Sequence, residues 1–385
     1  MSDGVEPFSI DVPDADLDDL RERLARTRYP DQIPGSGWDY GTDGAYLAEL
    51  CDYWRDEFDW RQQEALLNRF DHFVTEIDGQ RLHFIHQRSP VEGALPLVIT
   101  HGWPGSVFEF YKIIGPLVDP EAHGGRAEDA FHVICPSMPG YGFSGPTAKP
   151  GWDVREVAGI VAELMARLGY DRYGAQGGDW GALVTAHLGA IAPERVCGIH
   201  MNMVVCGPPP DAANALDEIT PEETADIAAM GEFQRTETGY QQIQGTKPQT
   251  LGVALTDSPA GLAAWIVEKF RTWSDCDGDV ERRFSKDELL TNIMIYWVTR
   301  TINSSVRLYC ESMRSGRFGP TGQRVEVPTA GAIFPKELIR PPRKWAEAHF
   351  NLQQWTRMAS GGHFAALEEP EALIRDIRSF YANLR

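Results

Sequence analysis

The sequence is short of basic residues, of long apolar runs and of closely spaced cysteines, and each shortage removes a class of protein. Only 36 Lys and Arg stand against 56 Asp and Glu, a net charge of −20 over 385 residues. Affinity for nucleic acid comes mainly from cations that neutralise phosphate, so no nucleic-acid partner is expected. The same charge works against anionic membrane surfaces. No run of about 18 apolar residues is present to span a bilayer. The opening Met1-Ser2-Asp3-Gly4-Val5-Glu6 has neither the basic nor the apolar stretch of a secretory signal, which points to a soluble, cytoplasmic protein with no membrane partner. Cys51, Cys135, Cys197, Cys206, Cys276 and Cys310 lie far apart with no C-x-x-C, giving neither a disulfide framework nor a zinc site. His83 and His86 are the one close histidine pair, but three residues apart in a strand they point to opposite faces and do not share a metal. No G-x-S-x-G occurs, nor any internal repeat or low-complexity tract.

What is there reads as an ordinary folded chain, 42% apolar and only 24% charged, able to bury a core that offsets chain entropy. Residues 1–72 read as a helical arm. Leu17, Leu20 and Leu24 repeat with helical spacing before Tyr29-Pro30, and a second helical pattern over 46–67 sets Leu47, Leu50, Trp54 and Phe58 along one face. From Phe73 the period becomes two: residues 73–77 and 81–86 flank Asp78-Gly79, a favoured hairpin turn. Short apolar runs at 95–100, 131–135, 173–175 and 196–203 then alternate with helical patterns at 154–168 and 181–191. Strands too apolar to face water on either side, separated by helices, predict a mostly parallel sheet covered on both faces. Residues 204–320 break the rhythm with helical segments at 221–230, 260–273 and 286–313 and no clear strand, and the alternation resumes at 327–334, 350–358 and 370–384. The expected organisation is therefore an α/β catalytic domain over 73–203 and 321–385, interrupted by a helical lid at 204–320.

Gly177-Gly178-Asp179-Trp180-Gly181 follows a strand and opens a helix. A residue on so sharp a turn needs small neighbours two before and two after it, which makes this a nucleophile elbow with Asp179 in the place of serine. Taken alone, the segment reads rather as an Asp capping a helix after a glycine turn. Two further residues argue for chemistry. Glu337 follows the strand-like run ending at Phe334, and His363, in Gly361-Gly362-His363-Phe364, follows the last one. The chain order nucleophile, acid, histidine is that of an α/β hydrolase. His101-Gly102-Trp103-Pro104-Gly105-Ser106 ends the strand 95–100, where the backbone N–H of Trp103, with that of Trp180, suits an oxyanion hole. His101 itself reads as structural. Gly140-Tyr-Gly-Phe-Ser-Gly145 matches a dinucleotide fingerprint in letters, but Pro146 and Pro150 follow where a helix would have to begin, so no cofactor is expected. Trp265, Phe270 and Trp273 read as the lid's own core, some of it bordering an apolar pocket.

His101-Gly-Trp-Pro, Ser137-Met-Pro-Gly-Tyr-Gly-Phe-Ser144, Gly177-Gly-Asp-Trp-Gly181 and Gly361-Gly-His-Phe-Ala-Ala-Leu-Glu-Glu-Pro370 resemble the microsomal-type epoxide hydrolases of the α/β-hydrolase superfamily. The helical arm is similar to that group's extra N-terminal domain, so the resemblance covers nearly the whole chain, while the membrane anchor that microsomal members carry is not expected here. It implies the α/β-hydrolase fold, an inserted lid, no metal or organic cofactor, and a small apolar epoxide and water as the reacting partners. It also implies two lid tyrosines as acids, which fall on Tyr240, in Thr238-Gly-Tyr-Gln, and Tyr309, in Val306-Arg-Leu-Tyr. Asp179 is then expected to form an alkyl ester that water, activated by His363 and Glu337, hydrolyses to release a vicinal diol. The alternatives are a haloalkane dehalogenase with the same aspartate, which needs halide donors rather than paired tyrosines, and a hydrolase-fold binding protein without activity. The sequence leaves open whether Glu337 or a carboxylate such as Asp211 orients His363, and whether the arm wraps the lid or joins a second copy into a homodimer.

Overall fold

Asp78 and Gly79 both adopt positive φ, 54° and 74°, the backbone that a two-residue hairpin requires. They join β2 (His72–Ile77) to β3 (Gln80–Gln87) as the alternating pattern predicts. In the computed structural model, which describes residues 4–209 and 219–385, this hairpin lies toward one end of a nine-stranded sheet. The other strands are β1 (Val5–Phe8), β4 (Leu95–Thr100), β5 (Phe131–Pro136), β6 (Tyr173–Gly177), β7 (Val196–Met201), β8 (Val325–Ile333) and β9 (Phe350–Arg357). Their spatial order is β1-β2-β3-β5-β4-β6-β7-β8-β9. The three at the β1 end are antiparallel, and those from β5 to β9 run parallel. The run of buried residues in each central strand follows from the helices on both faces.

From β4 the chain goes to one side, to β5, and then returns to the other side, to β6. The strand order thus reverses beside β4, and the crevice beyond the C-terminal ends of β4 and β6 is where an open α/β sheet presents a site. Thr100 and Gly177 are register partners there.

Three local expectations need correction. The first 72 residues are not wholly helical, because Val5–Phe8 adds an edge strand to β2 and His72 already belongs to β2. The single helix expected over 46–67 is two, Gly44–Asp56 and Trp60–Leu67, because the Asp59 carboxylate accepts from the amides of Arg61 and Gln62 and starts a new helix. The helix expected over 286–313 is also two, Lys286–Thr299 and Ile302–Arg314, separated by Arg300 at φ 55°.

Between β7 and β8 the described residues form only helices and turns, six α-helices from Pro221–Thr236 to Ile302–Arg314. The arm packs on this layer. Thr42 Oγ1 donates to Ala264 O (2.7 Å), Tyr53 Oη to Asp287 Oδ1 (2.9 Å), and Lys286 pairs with Glu49 (2.7 Å). Among the described residues no single helix is long and apolar enough to cross a membrane; the one pair that is so in combination, Pro248–Asp257 and Pro259–Trp273, is bent by 116°.

Candidate active site

Asp179 opens the helix Asp179–Ile191 with φ 49°, a left-handed backbone that a non-glycine residue adopts only at a cost. The close packing expected around this elbow is present. A Cβ on Gly181 would lie 1.8 Å from Thr100 O, and one on Gly177 2.2 Å from Gly181 O, so only glycines let the helix start against the ends of β4 and β6. A Cβ on Gly102 would lie 2.1 Å from Asp179 Oδ1, and the space is taken by the carboxylate instead.

Four strand ends deliver the side chains. Beyond β4, the Trp103 amide donates to Asp179 Oδ1 at 2.7 Å. Beyond β8, Glu337 is 1% exposed, and beyond β9 His363 is 5% exposed. His363 places Nδ1 2.8 Å from Glu337 Oε1 and Nε2 3.4 Å from Asp179 Oδ2. Glu337 is held in turn: its Oε1 accepts from the Leu338 amide, and its carbonyl accepts from Arg340, which also pairs with Asp226 on the lid helix Pro221–Thr236. The His363 amide donates to Trp273 O at 2.9 Å, so the lid also fixes the histidine loop. Burial alone would lower the His363 pKa, but the Glu337 and Asp179 carboxylates outweigh it and hold the imidazole well above its usual range. Asp211, weighed above as a partner for His363, lies outside the described residues.

The lid closes over Asp179 with aromatic rings. Tyr240 stacks on Trp103 (centroids 5.5 Å apart), Tyr309 meets Trp180 edge to face (4.6 Å), and the two tyrosines stand 5.9 Å apart, edge to face. Burial, and the negative charge of Asp179 with it, raises both phenols above their usual range, so they stay protonated donors. Trp180 follows Asp179 in the first helical turn, where backbone N–H groups have no intrahelical acceptor. Trp273 packs on Tyr240 (5.2 Å) and on His363 (5.1 Å), which puts it in the site's wall as well as in the lid core.

Other residues fall where their chemistry is structural. His101 accepts from the Met138 amide at Nε2 and meets Gly102 O at Nδ1, tying two loops together, and burial lowers its pKa to about 4. His83 bonds to His72 and Ser137, while His86 bonds to Tyr170. Gly140–Gly145 holds a single 3₁₀ turn, Gly142–Ser144, rather than a helix start. Among the described residues no group of three or more His, Cys, Asp or Glu could hold a metal. Sequence reading missed Glu109, Gln176 and Asn202, which line a small chamber together with Asp179 and His363. Only for Gln176, a polar residue in the apolar run of β6, was a signal visible.

A parallel sheet with this reversal, an aspartate elbow at it, and an acid and histidine on later strand ends under a helical insertion define an α/β hydrolase. Residues 96–295 match the family model described as alpha/beta hydrolase fold, and residues 5–110 match the one described as epoxide hydrolase N terminus. The chain belongs to the epoxide hydrolases. It is 42% identical to epoxide hydrolase 1 of Sus scrofa over 98% of this chain and 88% of that one. Among solved structures it is similar to the juvenile hormone epoxide hydrolase of the silkworm Bombyx mori, with a TM-score of 0.91 and 35% identity over 100% of this chain and 96% of that one. The Aspergillus niger epoxide hydrolase gives 0.90 and 32%, over 100% and 97%.

Proposed function

We propose that this chain opens small lipophilic epoxides to vicinal diols through an alkyl ester on Asp179. The observation that carries the reading is the placement of one carboxylate: Oδ1 on the Trp103 amide, Oδ2 toward His363 Nε2, and Tyr240 and Tyr309 above. Asp179 Oδ2 attacks an epoxide carbon, the carbon–oxygen bond breaks, and a tyrosine O–H protonates the departing oxygen. Esterification removes the Asp179 charge that helped to raise the His363 pKa. The imidazolium then gives its proton to the tyrosinate and becomes a neutral base. Water loses a proton to His363 and attacks Cγ of Asp179, with the negative charge developing on Oδ1 beside the Trp103 amide and the first-turn amide of Trp180. Collapse breaks the ester bond, the diol oxygen takes the remaining proton of the attacking water, and carboxylate and imidazolium are restored. A serine would not serve, because ring opening would leave an ether that water does not hydrolyse.

The paired tyrosines favour ring opening over halide displacement, which needs no acid. All six cysteines are unpaired, which supports a reducing, cytoplasmic setting. The test is intact and peptide mass spectrometry of His363→Gln mixed with an apolar epoxide. The substrate mass is expected on the peptide that contains Asp179; an adduct elsewhere, or none from a variant that still binds, overturns the reading.

A further inference from the structure

The two half-reactions need different things beneath Asp179. Alkylation needs an apolar approach from the lid side, whereas hydrolysis needs one water held against both His363 and the Asp179 carboxyl carbon. A chamber of about 20 Å³ is lined by both of these residues and by Glu109, Gln176, Asn202 and Gly105. One water requires roughly 10–15 Å³ measured in this way, so the chamber takes a water and is too small for an epoxide.

Its walls offer polar groups that the protein itself does not use. Gln176 is 1% exposed, and its Nε2 donates to Asn202 Oδ1 at 2.8 Å, which fixes the amide's orientation. Its Oε1 has no hydrogen-bond partner among the described residues. A buried acceptor is expected to be satisfied. Glu109 lies in the turn Val107–Phe110 and folds back over Gly105, where a Cβ would fall 1.4 Å from Glu109 Oε1. Any other residue at 105 would expel the carboxyl from the chamber. Burial pushes the Glu109 pKa up to about 8, with His363 opposing and Asp179 and Glu337 adding to the rise, so this carboxyl stands within the field of all three.

We infer that Glu109 and Gln176 are water-positioning residues: they hold, in this chamber, the water that hydrolyses the Asp179 ester. One O–H of that water points to His363 Nε2. The second needs an acceptor, and the unpartnered Gln176 Oε1 and the Glu109 carboxyl are acceptors on the chamber's lining. The assignment rests on the covalent reading above and adds to it the residues that serve only its second step.

Rapid mixing with an apolar epoxide, acid quench and mass spectrometry separate the steps in wild type, Glu109→Leu and Gln176→Met. Ester formation is expected to stay within about twofold of wild type, while ester hydrolysis slows on the order of tenfold or more, the scale of one hydrogen bond lost from a transition state, so that modified Asp179 accumulates. Hydrolysis at the wild-type rate in both variants overturns the assignment. So does an equal slowing of both steps, because a merely structural disturbance of the 101–110 loop would move the Trp103 amide, which holds Asp179 throughout. If Glu109→Leu does not fold, Gln176→Met decides by the same criteria. Absence of any ester in His363→Gln is a separate outcome, and it overturns the covalent reading instead.

Discussion

His363 Nδ1 and Glu337 Oε1 are 2.8 Å apart at a site where both side chains are almost wholly withdrawn from solvent. A buried imidazole alone would be neutral at physiological pH, yet two carboxylates, Glu337 at Nδ1 and Asp179 at Nε2, make the imidazolium the stable form of the free enzyme. In the proposed mechanism His363 is a base that rests protonated, which is useful only if one of those charges disappears during the reaction, and the proposed ester removes that of Asp179.

This gives a direct measurement. In ¹⁵N-edited NMR titrations, His363 is expected to titrate well above the ordinary histidine value of about 6.5 in the wild type. Asp179→Asn, which mimics the charge of the ester, is expected to lower the midpoint, and Glu337→Gln to lower it further, Glu337 exerting the larger charge effect. An unchanged midpoint in Asp179→Asn would show that the nucleophile does not control the base. The acid limb of kcat should follow the midpoint of the Asp179→Asn variant rather than that of the free enzyme.

The tyrosines should divide the steps in the opposite sense to Glu109 and Gln176. Tyr240→Phe or Tyr309→Phe removes one of two donors above Asp179 and is expected to slow ester formation by roughly 10²–10⁴-fold, the usual worth of a positioned acid. The double exchange should abolish it. Hydrolysis of ester already formed should change little. Quenching of Trp103, Trp180 or Trp273 fluorescence, all three in ring contact with a lid tyrosine, offers the rapid signal. Retained ester formation in the double variant would refute the assignment of the acids.

The residues to which the proposed mechanism gives the chemistry stood out in the sequence because each ends a strand, and strand ends are where the hydrophobic period stops: Trp103 after β4, Asp179 after β6, Glu337 after β8 and His363 after β9. What escaped depends on contacts between distant segments. Nothing near Arg300 is glycine or proline, yet the helix stops there because Thr301 turns its hydroxyl to accept from the Gly142 amide at 3.1 Å. β1 is too short and too exposed to show a period, and it exists because β2 offers an edge. Glu109 reads as an ordinary acidic residue of a surface turn until the fold brings Gly105 and His363 beside it. The break at Asp59, by contrast, was a readable cap.

The elbow's glycines should separate stability from chemistry. Gly181→Ala sets a methyl 1.8 Å from Thr100 O, which is backbone and cannot yield without parting β4 from the helix. Overpacking of this kind costs on the order of 3 kcal/mol, to be read from urea unfolding. Gly102→Ala meets the Asp179 carboxylate instead, at 2.1 Å, and that side chain can turn away. It should keep more of the stability and lose nearly all of the ester formation. Equal stability losses in the two variants would contradict this account.

His200 and Asp376 form a second buried pair, Nε2 to Oδ2 at 2.9 Å, between β7 and the helix Pro370–Tyr381, away from the reaction. Burial alone would raise the Asp376 pKa, but the hydrogen bond and charge of His200, with bonds from Thr356 and Gln354, outweigh it and hold the carboxyl below its usual value. A depressed carboxylate pKa contributes stability above the unfolded-state value of about 3.9, and that contribution is lost as pH falls through the folded-state value. Asp376→Asn is therefore expected to cost about 1.5–3 kcal/mol at pH 7, the worth of a buried hydrogen bond to a charge, with kcat unchanged in the folded fraction. Urea unfolding at successive pH values should show the gap between wild type and variant constant from neutrality down to about pH 5 and closing below about pH 4, as the carboxylate that distinguishes them takes up its proton. A gap that persists into acid would mean that Asp376 stabilises by shape and not by charge.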